Sequence, residues 1–365
     1  MSHDLARYHR QMLLPGFGEE GQRRLLDSTA LILGCGALGS MAADMLARAG
    51  VGHLVIVDRD FVELTNLQRQ VMFDEYDVEA GMPKAEAAKR KIAAINSQVK
   101  VTAIVDDINS SNIERFADGA DVLVDGLDNF ETRYLANDLA VKTCRPYVYG
   151  AAVGMTGMAF SVLPRCGGEA PWETFDGENL ATPCFRCLFD EAPPPGSSPT
   201  CDTVGVISSA VAVVANLEVA ETLKILTGNF NKVSRKLLNL DVWTNEMLQL
   251  SVAVVDTEGC PCCHHRRFDY LDGKSGSSAA ALCGRDAIQL LQQEAAGDVN
   301  LAAIADRMRG SIDTPVRCNE FMLQTTVAER ERSFEITLFA NGRAIIKGTD
   351  DPSVARAVFA KYVGN

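Results

Sequence analysis

The stretch 31-LILGCGALGS-40 constrains this chain more than any other. Gly34, Gly36 and Gly39 follow a short apolar run and precede a helix-like one, the G-x-G-x-x-G pattern of a strand, tight turn and helix. Such a turn lets phosphates approach bare backbone and the N-terminus of the following helix. Asp58 ends the next apolar run, 53-HLVIVD-58, at the distance expected for a ribose contact. On these residues alone, a nicotinamide or flavin enzyme and an ATP enzyme both remain open.

The surrounding pattern fits a doubly wound sheet. ALILG (30–34), HLVIVD (53–58), KVTAIV (100–105), ADVLVD (120–125) and PYVYGAAV (146–153) read as strands. Helix-like runs fill the gaps, including Pro83 to Asn96, with proline in the first turn, and Asn129 to Thr143, with Asp128 or Asn129 as cap. From about Met155 strands and loops take over, the proline-rich 191-EAPPPGSSPT-200 interrupts, and a long helix near 204–227 ends at Gly228. KLLNLDVW and MLQLSVAV then read as a hairpin.

This organisation predicts an α/β, Rossmann-like parallel-sheet domain over 1–270, a linker over 271–280 and a small C-terminal α+β module over 281–365. In the module, 335-EITLFANGRAIIKG-348 signals a hairpin turning at Asn341-Gly342, and Asp351-Pro352 opens a helix.

Composition narrows the function classes. With 48 acidic against 35 basic residues, the formal net charge is −13, a field that disfavours nucleic acid and anionic membrane as partners. The longest apolar run, 204–223, is interrupted by Ser208, Ser209, Asn216, Glu218 and Glu221 and suits a buried helix, while the polar start MSHDLARYHRQ does not read as a secretory signal. Both point to the cytosol, where eleven cysteines are expected as thiols or metal ligands and not as a disulfide framework.

Three further stretches shift the balance from a dinucleotide toward ATP. In 65-TNLQRQ-70, 83-PKAEAAKRK-91 and 125-DGLDNFETR-133, Arg69 and Lys84 supply mobile positive charge where a triphosphate would extend, and Asp128 at a strand end could hold Mg²⁺. Each residue alone has a bland reading, a solvated cation or a helix cap. Their joint placement at successive strand ends is where ligands of open α/β sheets bind.

With 8-YHRQ-11, GCGALGS, TNLQRQ, the lysine helix, 126-GLDNFETR-133 and paired cysteines in order, residues 5–268 resemble the ThiF/MoeB adenylyltransferases, relatives of ubiquitin-activating enzymes. The resemblance implies that Asp58 binds ribose, that Asn66, Arg69 and Lys84 bind phosphates, that Asp128 organises Mg²⁺, and that Arg10 reaches a neighbouring subunit's ATP in a homodimer. It also implies the substrate: the C-terminal glycine carboxylate of a small ubiquitin-like sulfur-carrier protein of the ThiS/MoaD kind, ending in Gly-Gly. Activated as an acyl adenylate, that carboxylate would take sulfur from a separate persulfide donor for thiamine or molybdopterin synthesis. The alternatives are an adenylating enzyme for a modified tRNA base, against which the cysteines and net acidity argue, a nicotinamide oxidoreductase, and a non-catalytic carrier-binding scaffold.

Cys184-x-x-Cys187 and Cys260-x-x-Cys263 have the spacing of two clamps on one tetrahedral Zn²⁺, and four thiolates would make that zinc structural. Cys262 leaves the ligand choice open from spacing; the resemblance selects Cys260 and Cys263. His264 and His265 read as polar surface residues. Cys201 precedes the long helix, where a thiol can have a lowered pKa; the resemblance matches it to a cysteine of sulfur or acyl transfer in some members. Cys35 reads as a small filler, Cys283 as buried and the other cysteines as packing residues. The module shows no persulfide-donating rhodanese pattern and is expected to contact a partner protein or a neighbouring subunit.

Overall fold

The computed structural model describes residues 5–190, 204–274, 281–282, 287–290, 299–310, 312, 314–329, 332–340 and 342–363. The described residues form two compact units, one before and one after the 275–280 stretch.

The first unit is built on an eight-stranded sheet in the order β3-β2-β1-β4-β5-β6-β7-β8. Its strands are β1 (Thr29–Leu33), β2 (His53–Val57), β3 (Lys100–Ile104), β4 (Val122–Asp125), β5 (Tyr147–Val153), β6 (Thr156–Val162), β7 (Lys236–Asp241) and β8 (Glu246–Ser251). The pairs from β3 to β5 are all parallel, and those from β5 to β8 are antiparallel. The helices are α1 (His9–Met12), α2 (Gly18–Asp27), α3 (Ala37–Ala49), α4 (Glu75–Glu79), α5 (Lys84–Ile95), α6 (Ile113–Phe116), α7 (Phe130–Thr143), α8 (Phe185–Leu188) and α9 (Ser208–Leu226).

After Thr29 the strand TALIL is apolar and buried at every position because both of its faces are covered. Ala30 and Ile32 pack with Ala42 and Leu46 of α3, Ala88 and Ile92 of α5, and Val219 of α9. Leu31 and Leu33 pack on the opposite face with Ile113 and Phe116 of α6 and with Leu135 and Leu139 of α7. Since β1 pairs with β2 on one side and β4 on the other, the chain reverses its winding at β1, which opens a crevice at the carboxyl ends of β1 and β4.

The second unit is a six-stranded antiparallel sheet in the order β11-β12-β13-β14-β10-β9. It comprises β9 (Ala281–Leu282), β10 (Ala287–Leu290), β11 (Arg317–Cys318), β12 (Met322–Glu329), β13 (Arg332–Phe339) and β14 (Ala344–Lys347), with α10 (Leu301–Arg309) and α11 (Pro352–Tyr362). Ile336, Leu338 and Ile346 of the sheet bury against Leu301, Ala305 and Met308 of α10 and Val358 and Phe359 of α11. The expected hairpin is β13–β14; of its expected turn, Asn341 lies outside the described residues. Asp351 caps α11 by accepting from Ser353 N at an Oδ1–N distance of 2.7 Å.

One expectation about the cysteines is corrected. Cys144 and Cys166 form a disulfide, with Cα atoms 5.7 Å apart. Cys144 ends α7 in a left-handed conformation, at φ 54°, and so turns away from the helix toward the segment after β6 that carries Cys166. Sequence spacing alone gives no hint of this pairing, because the two residues meet only through the sheet. Cys283 lies outside the described residues.

Candidate active site

Three glycines build the floor of the crevice, two of them by close backbone contact. Gly34 has φ +87°, and a Cβ on it would lie 2.5 Å from Gly126 O. A Cβ on Gly39 would lie 1.9 Å from Gly34 O, so the first turn of α3 is locked onto the loop. At Gly36 the nearest atom to such a Cβ is Gly126 O, 3.8 Å away, which leaves that backbone open to a ligand. The three positions therefore divide the roles of the motif: turn, approach and helix packing. Cys35 between them is fully buried, and burial pushes its thiol well above the ordinary range, consistent with a filler.

Asp58 follows β2 and reaches across to this loop. Its Oδ2 accepts from Cys35 N at 2.6 Å and its Oδ1 from Asp60 N at 2.7 Å. Enclosure raises its pKa, against which Lys84 pulls it down. Lys84 opens α5 with 4% exposure, its Nζ 3.2 Å from Asp60 Oδ2 and its backbone N donating to Asp60 O at 2.9 Å. The expected mobility of this lysine is thus corrected: the turn after β2 and the start of α5 are tied together by Phe61 bridging Pro83, and the ammonium is held in place.

Asn66 is buried, with Oδ1 accepting from Glu63 N at 3.0 Å, and this reciprocal cap shapes the turn that presents Arg69. Arg69 Nη1 donates to Thr65 O at 2.9 Å. Arg10 is exposed on α1. Asp128 is exposed between β4 and α7, next to Asn129, which caps α7 by accepting from Thr132 N at 2.9 Å.

Sequence spacing does not mark Arg59 as a site residue. Its Nη1 lies 2.8 Å from Asp107 Oδ1. Burial works against the Arg59 charge, and Asp107, Asp60, Asp128 and Asp58 together outweigh it, which raises its pKa. Asp58, Asp60, Lys84, Arg59 and Asp128 therefore share one electrostatic field at the strand ends. Cys201 lies outside the described residues.

The loop 125–128 is held from below. Asp125 is fully buried, and its Oδ1 accepts from Leu127 N at 2.8 Å while its Oδ2 accepts from Tyr147 OH at 2.5 Å and Arg133 Nε at 3.1 Å. Burial raises the Asp125 pKa, and Arg133 is the chief counterweight. The signal for this pair stood in 125-DGLDNFETR-133, eight residues apart, but nothing in the spacing said that both side chains turn inward.

Away from the crevice, Cys184, Cys187, Cys260 and Cys263 converge, with all four sulfurs within 4.8 Å of one another. The Sγ distances are 3.8 Å for Cys184–Cys187, 3.6 Å for Cys184–Cys260 and 3.4 Å for Cys187–Cys263. A tetrahedron with Zn–S bonds of about 2.3 Å has edges near 3.8 Å, so the cluster could hold zinc. Cys262 is fully buried beside this group but not part of it, with Asn137 Nδ2 3.4 Å from its sulfur and 3.7 Å from that of Cys184. His264 and His265 are exposed.

The sequence pattern of the ThiF family matches residues 8–262. The chain is 39% identical over 358 residues, 98% of it and 99% of the relative, to the sulfur carrier protein ThiS adenylyltransferase of Bacillus subtilis. It is also 39% identical over 261 residues to the sulfur carrier protein adenylyltransferase of Thermus thermophilus, covering 71% of this chain and 91% of that one. The solved structure of E. coli MccB with ATP shares the fold, with TM-score 0.55 and 23% identity over 72% of this chain and 75% of that one. The Bacillus protein is thus similar through the C-terminal unit as well, whereas the Thermus match accounts for less of the chain.

Proposed function

This chain belongs to the ThiF family, and we propose that it is an adenylyltransferase that activates the C-terminal Gly-Gly carboxylate of a small ubiquitin-like sulfur-carrier protein. The observation that carries the reading is the crevice at β1 and β4. There Asp58 is bonded to the glycine loop, and a 4%-exposed Lys84 stands beside it with its charge fixed.

A carboxylate resists nucleophiles because of its charge and has no good leaving group. In-line attack of the carrier's carboxylate oxygen on the α-phosphorus of ATP forms a C–O–P linkage and expels pyrophosphate, which removes both obstacles. The attacking group is already ionised, so no general base is needed. Positioning and electrostatic stabilisation then supply the acceleration.

In this reading Gly34, Gly36 and the N-terminus of α3 face the phosphates, and Asp58, held by Cys35 N and Asp60 N, offers its remaining lone pairs to the ribose hydroxyls. Asn66, Arg69 and Lys84 bind the phosphates, and the cations Arg10, Arg69 and Lys84 offset their charge. Arg10, exposed on α1, reaches the nucleotide of a second copy in a homodimer. Asp128 would hold Mg²⁺, which would orient the phosphates and neutralise charge. Exposure of the Asp128 carboxylate at a strand end fits a hydrated cation of that kind.

The zinc would be structural, since four thiolates leave no open position. Sulfur would come from a separate persulfide donor, with Cys201 as the thiol available for a covalent step and thiamine or molybdopterin synthesis as the destination. The reaction belongs in the cytosol, and no described helix is long and apolar enough to cross a membrane.

ATP–pyrophosphate exchange with purified Gly-Gly-ending carriers tests the reading. Exchange with one carrier supports it and identifies the partner; no exchange with any carrier, beside intact ATP binding, would overturn the assigned substrate. Asp128→Ala should abolish exchange with the fold intact, and retained exchange would remove Asp128 from the mechanism.

A further inference from the structure

Beneath the crevice, Arg133 of α7 sends its guanidinium into the sheet with 6% exposure. Its Nε donates to Asp125 Oδ2 at 3.1 Å, and its Nη2 donates to Leu127 O at 2.6 Å and to Gly150 O at 3.2 Å. Leu127 N in turn donates to Asp125 Oδ1 at 2.8 Å. Both polar backbone atoms of Leu127 are therefore held by one buried ion pair, and Leu127 is the residue before Asp128.

The rest of the setting is equally fixed. Gly126 N donates to Leu33 O at 2.8 Å, and a Cβ on Gly126 would lie 2.3 Å from Gly34 O, so the loop has no room to slide over the glycine turn. Tyr147 OH adds a second donor to Asp125 Oδ2, and the rings of Tyr149 and Phe130 lie 5.3 and 5.8 Å from the guanidinium carbon.

We propose that Arg133 is a positioning residue for the proposed metal-binding carboxylate. Through Asp125 and the backbone of Leu127 it fixes where Asp128 stands before nucleotide arrives. The inference rests on the reading of Asp128 given above and deepens it. Exposed carboxylates on unrestrained loops must be ordered when the cation binds, and that cost weakens binding; a loop ordered in advance avoids it. Arginine suits the task because its planar fork serves three acceptors at fixed angles, which a lysine ammonium on a flexible stem does not.

The test uses the full chain and compares ATP affinity with and without Mg²⁺ by calorimetry, in wild type, Arg133→Lys and Asp128→Asn. In Arg133→Lys, ATP without metal should bind as in wild type, while the gain conferred by Mg²⁺ should shrink roughly tenfold or more. A role confined to balancing the Asp125 charge would be satisfied by lysine, so an unchanged Mg²⁺ gain there, beside a lost gain in Asp128→Asn, overturns the role of Arg133 alone. An unchanged gain in Asp128→Asn instead sinks the reading of Asp128. Should Arg133→Lys fail to fold, the wild-type protein still decides. The Leu127 amide should exchange with solvent hydrogen as slowly as Val124 in β4, and exchange at the rate of an open surface loop overturns the proposal.

Discussion

Glu218 and Gly150 are in such close contact that a Cβ on Gly150 would lie 2.3 Å from the Glu218 carboxyl carbon. Glycine at that position of β5 makes room for an acid that α9 buries completely, and neither of its oxygens has a hydrogen-bond partner among the described residues. Burial pushes its pKa well above the ordinary carboxylate range. The nearby charge of Asp125 pushes the same way, and Arg133 opposes.

The pH dependence of stability follows from that direction. The folded protein holds the Glu218 proton to higher pH than the unfolded chain does, so this group's contribution is fully present below the unfolded pKa and is lost as pH rises toward the folded one. Glu218→Gln removes the loss. It should stabilise the protein at pH 8 relative to pH 5 by on the order of 1 kcal/mol or more. Urea unfolding of both proteins at the two pH values checks this, and a variant that tracks wild type at both would show that Glu218 is ionised in the folded state.

The glycines of the loop should separate by substitution. Gly39→Ala puts a methyl 1.9 Å from Gly34 O and must disrupt the packing of α3, at a cost of roughly 2–4 kcal/mol of stability. Gly36→Ala meets nothing closer than 3.8 Å and should fold with a near wild-type melting temperature, yet lose at least about tenfold in ATP affinity, because the methyl occupies the line of phosphate approach. Wild-type ATP binding by the Gly36 variant would place the phosphates elsewhere.

Metal analysis should find one zinc per chain. Chelation or Cys260→Ser should cost several kcal/mol of stability, because the cluster joins the α8 turn to the 260–263 turn and a structural zinc contributes its binding energy to folding. Cys262→Ser should keep the zinc, since that sulfur lies outside the group of four that converge. Loss of metal from the Cys262 variant would reassign the ligands.

Local chemistry made much of this molecule readable in one dimension. The glycine spacing, the apolar runs ending in Asp58 and Asp125, the Asn129 cap and the two C-x-x-C pairs each work through residues a few positions apart, where backbone geometry and side-chain period dictate the outcome. They determined the doubly wound sheet, the place of the glycine loop and the identity of the candidate metal thiols. Tertiary structure alone decided what depends on segments far apart in the chain. Cys144 meets Cys166, and Lys84 is restrained by Asp60. Arg133 turns inward to clamp the loop before Asp128, and Glu218 is buried against Gly150. The physical reason is common to these cases. Whether a charged or reactive side chain faces water or the interior is set by which strands and helices pack together, and residue type with local spacing leaves both outcomes open.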